Sequence, residues 1–225
     1  MKKFLIVGGS SGVGKELVKQ LGSTNEVYAT YNKTELADQV AGSYQWNTKH
    51  DFESDWLPDD LDALIYCPGA INLKPFKRCA EEEFLEDYKI QVLGAIKCIK
   101  SCQKKLNRKE SSSITLFSSV AASIGLPFHS IVSSSKGAIE GLVKALAAEF
   151  APTCRVNAVS LSLTDTPLAA KLLSTEEKKE TNGKRHPLNR IGQTSDAAKA
   201  VEYLVHSSWV TGQVIQVDGG FSAIK

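Results

Sequence analysis

The residues with the clearest chemical content form a glycine turn near the start of the chain, Gly8-Gly9-Ser10-Ser11-Gly12-Val13-Gly14. Glycines spaced in this way admit positive φ angles and let backbone N–H groups come close to a pyrophosphate. Lys15-Glu16-Leu17-Val18-Lys19-Gln20-Leu21 follows with helical character, so a bound anion would rest on the positive end of a helix dipole. Phe4-Leu5-Ile6-Val7 precedes the turn as a short apolar run that reads as a buried strand. Strand, glycine turn and helix together are the setting in which such a turn holds a dinucleotide, with Gly8, Ser10, Ser11, Gly12, Val13 and Gly14 at the phosphates.

The choice of dinucleotide is read one strand later. The run Glu26–Tyr31 ends where the adenosine ribose would lie, and a carboxylate there would hold the 2′-hydroxyl of NAD. The chain instead reads Thr30-Tyr31-Asn32-Lys33-Thr34, with no acid before Glu35. A neutral Asn32 followed by Lys33 complements a 2′-phosphate, so NADP is the expected cofactor and NAD the alternative.

The elements that must position these residues alternate along the chain. Candidate strands are Phe4–Val7, Glu26–Tyr31, Ser43–Trp46, Ala63–Cys67, Ser113–Phe117, Arg155–Val159 and Val214–Val217. Most are continuous apolar runs, as expected where helices cover both faces of a parallel sheet. Between them, Phe84, Tyr88, Val92, Ala95, Ile96, Ile99, Cys102 and Leu106 form one long helical stripe. Ile139, Leu142, Val143, Leu146, Ala147 and Phe150 form another, stopped by Pro152. The expected fold is α/β: a Rossmann-like, doubly wound parallel sheet of about seven strands, with helices on both faces in three layers. No linker or repeat divides residues 1–225, so one domain is expected. The polar stretch from Thr164 to about Gln193 reads as a substrate lid or a pair of small helices, and its charged run Ser174–Glu180 reads equally as a solvated surface helix.

Composition narrows the partners. A net charge of +2, with no long basic run, gives no reason to expect nucleic acid. No apolar stretch approaches membrane-spanning length, and the four-residue run Phe4–Val7 is too short for a signal peptide. Five cysteines (Cys67, Cys79, Cys98, Cys102 and Cys154), odd in number and without a C-x-x-C, suit core packing in a reducing cytoplasm.

Further motifs carry a family likeness. Val7-Gly8-Gly9-Ser10-Ser11-Gly12-Val13-Gly14 departs from T-G-x-x-x-G-x-G only in its first residue. Tyr66-Cys67-Pro68-Gly69 keeps the glycine of N-N-A-G, and Thr211-Gly212-Gln213 through Asp218-Gly219-Gly220 matches a closing strand and turn closely. On these motifs the chain resembles the short-chain dehydrogenase/reductase family over essentially its whole length. The resemblance implies hydride transfer between a nicotinamide dinucleotide and a small carbonyl or alcohol. It further implies that Asn47 stands where an acidic residue contacts adenine, Gly69 borders the cofactor, and Thr164 and Thr166 lie at the nicotinamide amide. Ser119 matches the serine that orients the substrate oxygen, and Lys136 the lysine that binds the nicotinamide ribose. Gln91 stands in place of the asparagine of the proton relay, and Leu161-Ser162 in place of P-G.

The departure with chemical weight is Val132, which the resemblance places at the proton-donating tyrosine, thirteen residues after Ser119 and four before Lys136. Valine has no proton to give, and a placed acid is worth about 10²–10⁴-fold in rate. His129, three residues earlier, is the nearest titratable candidate for a substitute. An oxidoreductase with an altered donor and an NADP-binding sensor or scaffold without turnover are therefore both open. An epimerase or dehydratase of the extended branch is disfavoured by the short C-terminal region. Resemblance also implies a homotetramer or homodimer built on the Phe84–Leu106 helix and the helix after Lys136, where Ala138, Gly141, Ala145 and Ala148 give a small-residue face.

Overall fold

Strand β1 (Lys3–Val7) is buried along nearly its whole length, as its unbroken apolar run requires. Phe4 and Ile6 enter one core layer, and Leu5 and Val7 enter the other. The computed structural model describes residues 1–106 and 112–224. Around β1 the chain builds β2 (Glu26–Tyr31), β3 (Gly42–Gln45), β4 (Ala63–Tyr66), β5 (Ser112–Ser119), β6 (Cys154–Leu161) and β7 (Val214–Val217). They form one seven-stranded sheet in the order β3-β2-β1-β4-β5-β6-β7, with every pairing parallel. Strand order reverses between β1 and β4, where Val7 pairs with Tyr66, so the crevice of the doubly wound fold opens there.

Helices α1 (Gly12–Gly22) and α6 (Thr194–His206) cover one face. Leu17, Val18 and Leu21 meet Ala198, Val201 and Leu204 over Phe4, Ile6 and Ile65. The other face carries α2 (Glu81–Tyr88), α3 (Gly94–Cys102) and α4 (Ser130–Phe150), with Val92, Ala95, Ile99, Ile139 and Val143 packed over Leu5, Leu64, Ile114 and Val156. All five cysteines are free, and Cys98 and Cys102 are buried in α3.

The stripe from Phe84 to Leu106 predicts a single α-helix, and here the structure differs. A π turn at Lys89–Leu93 separates α2 from α3. The extra residue rotates the preceding turns by roughly a quarter of a revolution. Val92, Ala95, Ile99, Cys102 and Leu106 are buried as expected, but Tyr88 is 38% exposed while Asp87 is 4% exposed. The cause lies in β4. Tyr66 Oη donates to the Ile90 carbonyl at 2.5 Å, taking up an acceptor from within the widened turn. Gly94 makes room for it, because a Cβ at that position would lie 2.1 Å from Tyr66 Oη. Gly94→Ala is therefore expected to lower stability by about 1–3 kcal/mol, read as a lower urea midpoint at unchanged m-value.

Residues 164–192 leave the sheet after β6 and return to their starting point. Thr164 bridges Gly192, with Asp165 N donating to Gly192 O at 2.9 Å and Gly192 N donating to Leu163 O at 3.0 Å. Inside this loop lie a single turn, Pro167–Ala169, and α5 (Glu176–Gly183), capped by the Thr175 hydroxyl. Ala169, Leu173 and Ile191 give the loop a small core of its own. The charged run therefore forms a solvated helix.

Candidate active site

A cavity of about 580 Å³ lies across the C-terminal ends of β1, β2, β4, β5 and β6. Gly8, Ser10, Ser11, Gly12, Val13 and Gly14 form one wall. Gly12 has φ +53°, and a Cβ on Gly14 would stand 2.1 Å from the Gly8 carbonyl oxygen, so α1 packs directly on its own turn. Thr30 at the end of β2 holds the turn in place, accepting from Gly8 N through its hydroxyl at 3.0 Å and from Gly9 N through its carbonyl at 2.8 Å. Ser11 is the N-cap of α1 but makes no side-chain hydrogen bond to it, so first-turn N–H groups remain available to an anion. A dinucleotide pyrophosphate fits this wall.

Asn32 and Asn47 line the adjoining part of the cavity, with Asn47 Nδ2 donating to Asn32 Oδ1 at 3.5 Å. Lys33 is exposed just beyond Asn32 and does not contribute to the wall. Lys49 does contribute, with its ammonium 3.5 Å from the Glu86 carboxylate. Its loop is gripped from α3, where Lys97 Nζ donates to the carbonyls of Lys49 at 3.3 Å and His50 at 3.0 Å. Nothing in the sequence separates Lys49 from an ordinary loop lysine; only folding brings its loop to Asn32 and the cavity wall.

At the opposite end the cavity is lined by Gly69, Gln91, Ser119, Val132, Lys136, Ser162, Thr164 and Thr166. Ser119 Oγ accepts from Ala121 N at 3.3 Å, which leaves its O–H free to donate. Val132, 5% exposed, stands on the first turn of α4 with Lys136 one turn on. Lys136 Nζ donates to the Phe117 carbonyl at 2.9 Å. Burial draws the Lys136 ammonium down to about 8, and the Asp87 carboxylate opposes that shift. Asp87 is buried because of the π turn, and its Oδ2 accepts from Gln91 Nε2 at 2.7 Å. Asp87 Oδ1 and Gln91 Oε1 are buried with no hydrogen-bond partner among the described residues.

His129 does not join this group. It sits at the N-cap of α4 with its Nδ1 2.7 Å from the Pro127 carbonyl, off the cavity wall. Although it is one helical turn from Val132, its ring is engaged with the Pro127 carbonyl and does not line the cavity. Reasoning from sequence also passed over Asp87 and His186, and treated Ser162 only as a departure from a motif.

A family model described as Enoyl-(Acyl carrier protein) reductase matches residues 24–222. The chain belongs to the short-chain dehydrogenase/reductase family. A tropinone reductase homolog of Arabidopsis thaliana is 30% identical over 243 residues, covering 98% of this chain and 91% of its own. Two solved structures share the fold of this short-chain dehydrogenase/reductase at 24% identity. Ligand-free aldohexose dehydrogenase of Thermoplasma acidophilum has a TM-score of 0.88, covering 100% of this chain and 95% of that one. ElxO with NADP bound has a TM-score of 0.83, covering 98% of each chain.

The charge state of Lys136 gives this dehydrogenase/reductase an expected pH response. As pH rises through about 8, Lys136 loses its proton and with it both a charge and a donor toward an anionic ligand. NADPH affinity, followed by fluorescence titration, should fall over that range. Asp87→Asn removes the group that keeps Lys136 charged and should move the fall to lower pH. An identical pH response in Asp87→Asn would refute the coupling.

Proposed function

We propose that this chain is an NADP-dependent oxidoreductase that reduces a small carbonyl compound or oxidises the corresponding alcohol. The observation that carries the reading is the single cavity joining the glycine turn to Ser119 and Lys136. In this reading the turn from Gly8 to Gly14 holds the pyrophosphate, Asn47 the adenine, and Lys33 with Lys49 the 2′-phosphate. Lys136 holds the nicotinamide ribose, and Thr164 with Thr166 the nicotinamide amide. The 2′-phosphate assignment rests on those two lysines and on the absence of a carboxylate between Tyr31 and Glu35. The NADP recorded in ElxO is in keeping with it. When bound, the reduced cofactor supplies hydride. Ser119 donates its O–H to the substrate oxygen and polarises the carbonyl. Val132, at the position where the family likeness expects tyrosine, keeps that side of the cavity apolar.

The test is NADPH consumption against a panel of aldehydes, ketones and enones. Turnover above the protein-free background is expected, and Ser119→Ala should lower it by about 10²-fold while leaving NADPH affinity intact. Background-level consumption across the panel, with tight NADPH binding, would favour the second reading: a cofactor-occupied sensor or scaffold, which Val132 supports. An oligomer belongs to the same proposal, since Gly141, Ala145 and Ala148 lie exposed along α4. Five free cysteines agree with a cytoplasmic setting.

A further inference from the structure

We propose that Ser162 and His186 form a proton relay into the cavity, supplying what the side chain at position 132 lacks. The proposal rests on the oxidoreductase reading above. Ser162 follows β6 and lines two cavities: the one just described, and a neighbouring one of about 380 Å³. Leu161, Ser162, Leu163 and Thr164 form the partition between them. His186, on the returning arm of the loop after α5, lines the second cavity and is 4% exposed.

The hydrogen bonds of the His186 ring determine which nitrogen carries the proton. Nδ1 lies 2.9 Å from the Asn182 carbonyl, an atom that can only accept, so Nδ1 is protonated. Nε2 lies 2.8 Å from Ser162 Oγ, so in the neutral ring it is a lone pair aimed at the serine hydroxyl. A hydroxyl facing an imidazole that a third group orients is the arrangement by which proteins move a proton to or from an oxygen. The ring is held against Phe221, with centroids 5.1 Å apart.

Charged groups reach this ring from three elements. Asp218, in the turn after β7, is partly buried, which opposes its ionisation. Hydrogen bonds from Ser222 and Gly220 N and the nearby His186 nevertheless hold its carboxyl below the usual range. On the loop itself, Arg185 lies over the Phe221 ring and Arg190 is spent in a two-pronged pair with Asp196 of α6 at 2.6 and 3.1 Å. Lys199 of α6 also lines the second cavity. Asp218 is thus the counter-charge for a protonated His186.

In the reducing direction, Ser162 O–H gives its proton to the substrate oxygen, forming the product O–H. Ser162 Oγ takes the Nε2 proton of the His186 imidazolium at the same time, leaving the ring neutral with Nδ1–H in place. Hydride from NADPH completes the balance at the carbonyl carbon. The oxidising direction runs the same proton path backwards, ending with His186 charged beside Asp218.

Two measurements on the full chain test the relay. The first follows the His186 ring by NMR as pH is varied, with NADP⁺ and then with NADPH bound; the two ligands differ by the positive charge on the nicotinamide. If the relay faces that ring, the His186 midpoint is lower with NADP⁺ than with NADPH. Equal midpoints would overturn the relay whatever the turnover. The second uses NADPH with 4-nitrobenzaldehyde and with diacetyl, comparing the unaltered protein with Ser162→Ala and His186→Gln. Both variants should lose about 10²-fold in kcat with NADPH affinity unchanged, and the ionisation that matches the His186 NMR midpoint should vanish from the pH profile. Unchanged kcat and pH profile in Ser162→Ala, which removes only one oxygen, would overturn the relay while leaving the oxidoreductase reading intact. Distinct midpoints without turnover by the unaltered protein would overturn the oxidoreductase reading itself.

Discussion

Gly14→Ala is expected to raise the Kd for NADPH by at least about 10²-fold, a loss of roughly 2.7 kcal/mol. The added Cβ would meet the Gly8 carbonyl oxygen at 2.1 Å and its carbon at 2.9 Å. Both are backbone atoms, so no change of side-chain rotamer relieves the contact, and either the turn opens or α1 moves away from it. The turn cannot open freely, because Gly8 and Gly9 are both bonded to Thr30. The displacement therefore falls on the N–H groups at the start of α1, which lose their convergence on one point. Gly125→Ala is the matched control, since a Cβ there meets nothing within 4 Å. Fluorescence titration of both variants reads the difference directly. A Gly14→Ala protein that binds NADPH within threefold of the unaltered chain would remove the turn from the cofactor site.

Val132→Tyr is expected to raise carbonyl reduction by about 10²-fold, at the low end of what a placed acid contributes. The position is on the cavity wall, one helical turn before Lys136, and Ser119 lines the same cavity. A phenol there would stand near a buried ammonium, which favours the phenolate and tunes the acid toward neutral pH. Val132→Phe supplies the same bulk without the hydroxyl, so it separates the chemistry from the shape. Equal rates for the tyrosine and phenylalanine variants would mean that no proton is wanted at this point. If Ser162 and His186 carry the proton, Val132→Tyr should also restore turnover to a His186→Gln protein by providing a second route.

The middle of the sheet was legible in the sequence because both faces of β1, β4, β5 and β6 are covered. A strand with no solvent face shows as a nearly unbroken apolar run; β3 and β7 are partly exposed, and all seven expected strands match to within two residues at each end. The glycine turn was legible because its packing admits no Cβ at Gly14. Two features were hidden for definite reasons. The π turn inserts one residue, and a period-based reading cannot detect a phase change made by a tyrosine hydroxyl from another strand. Asp87 therefore carries no signal in the periodicity, although it is the buried charge beside Lys136. His186 meets Ser162 across twenty-four residues of loop, with no periodic signal between them. His129 lies one turn from Val132 but off the cavity wall, and which way a loop imidazole turns, here to the Pro127 carbonyl, is not written in the sequence.

The bridge between Thr164 and Gly192 has a consequence for how relatives can diverge. Because the loop is closed at its neck, its two ends stay together whatever length of chain runs between them. The entropic cost of closing a loop grows only with the logarithm of its length, so residues can be added or removed there at a cost of a few tenths of a kcal/mol. The loop also carries its own small core of Ala169, Leu173 and Ile191, which can be rebuilt without disturbing β6 or β7. The chain between Thr164 and Gly192 can therefore drift in length and sequence, apart from Thr166, which packs against Gly12, and His186, while the glycine turn stays fixed by its contacts with Thr30.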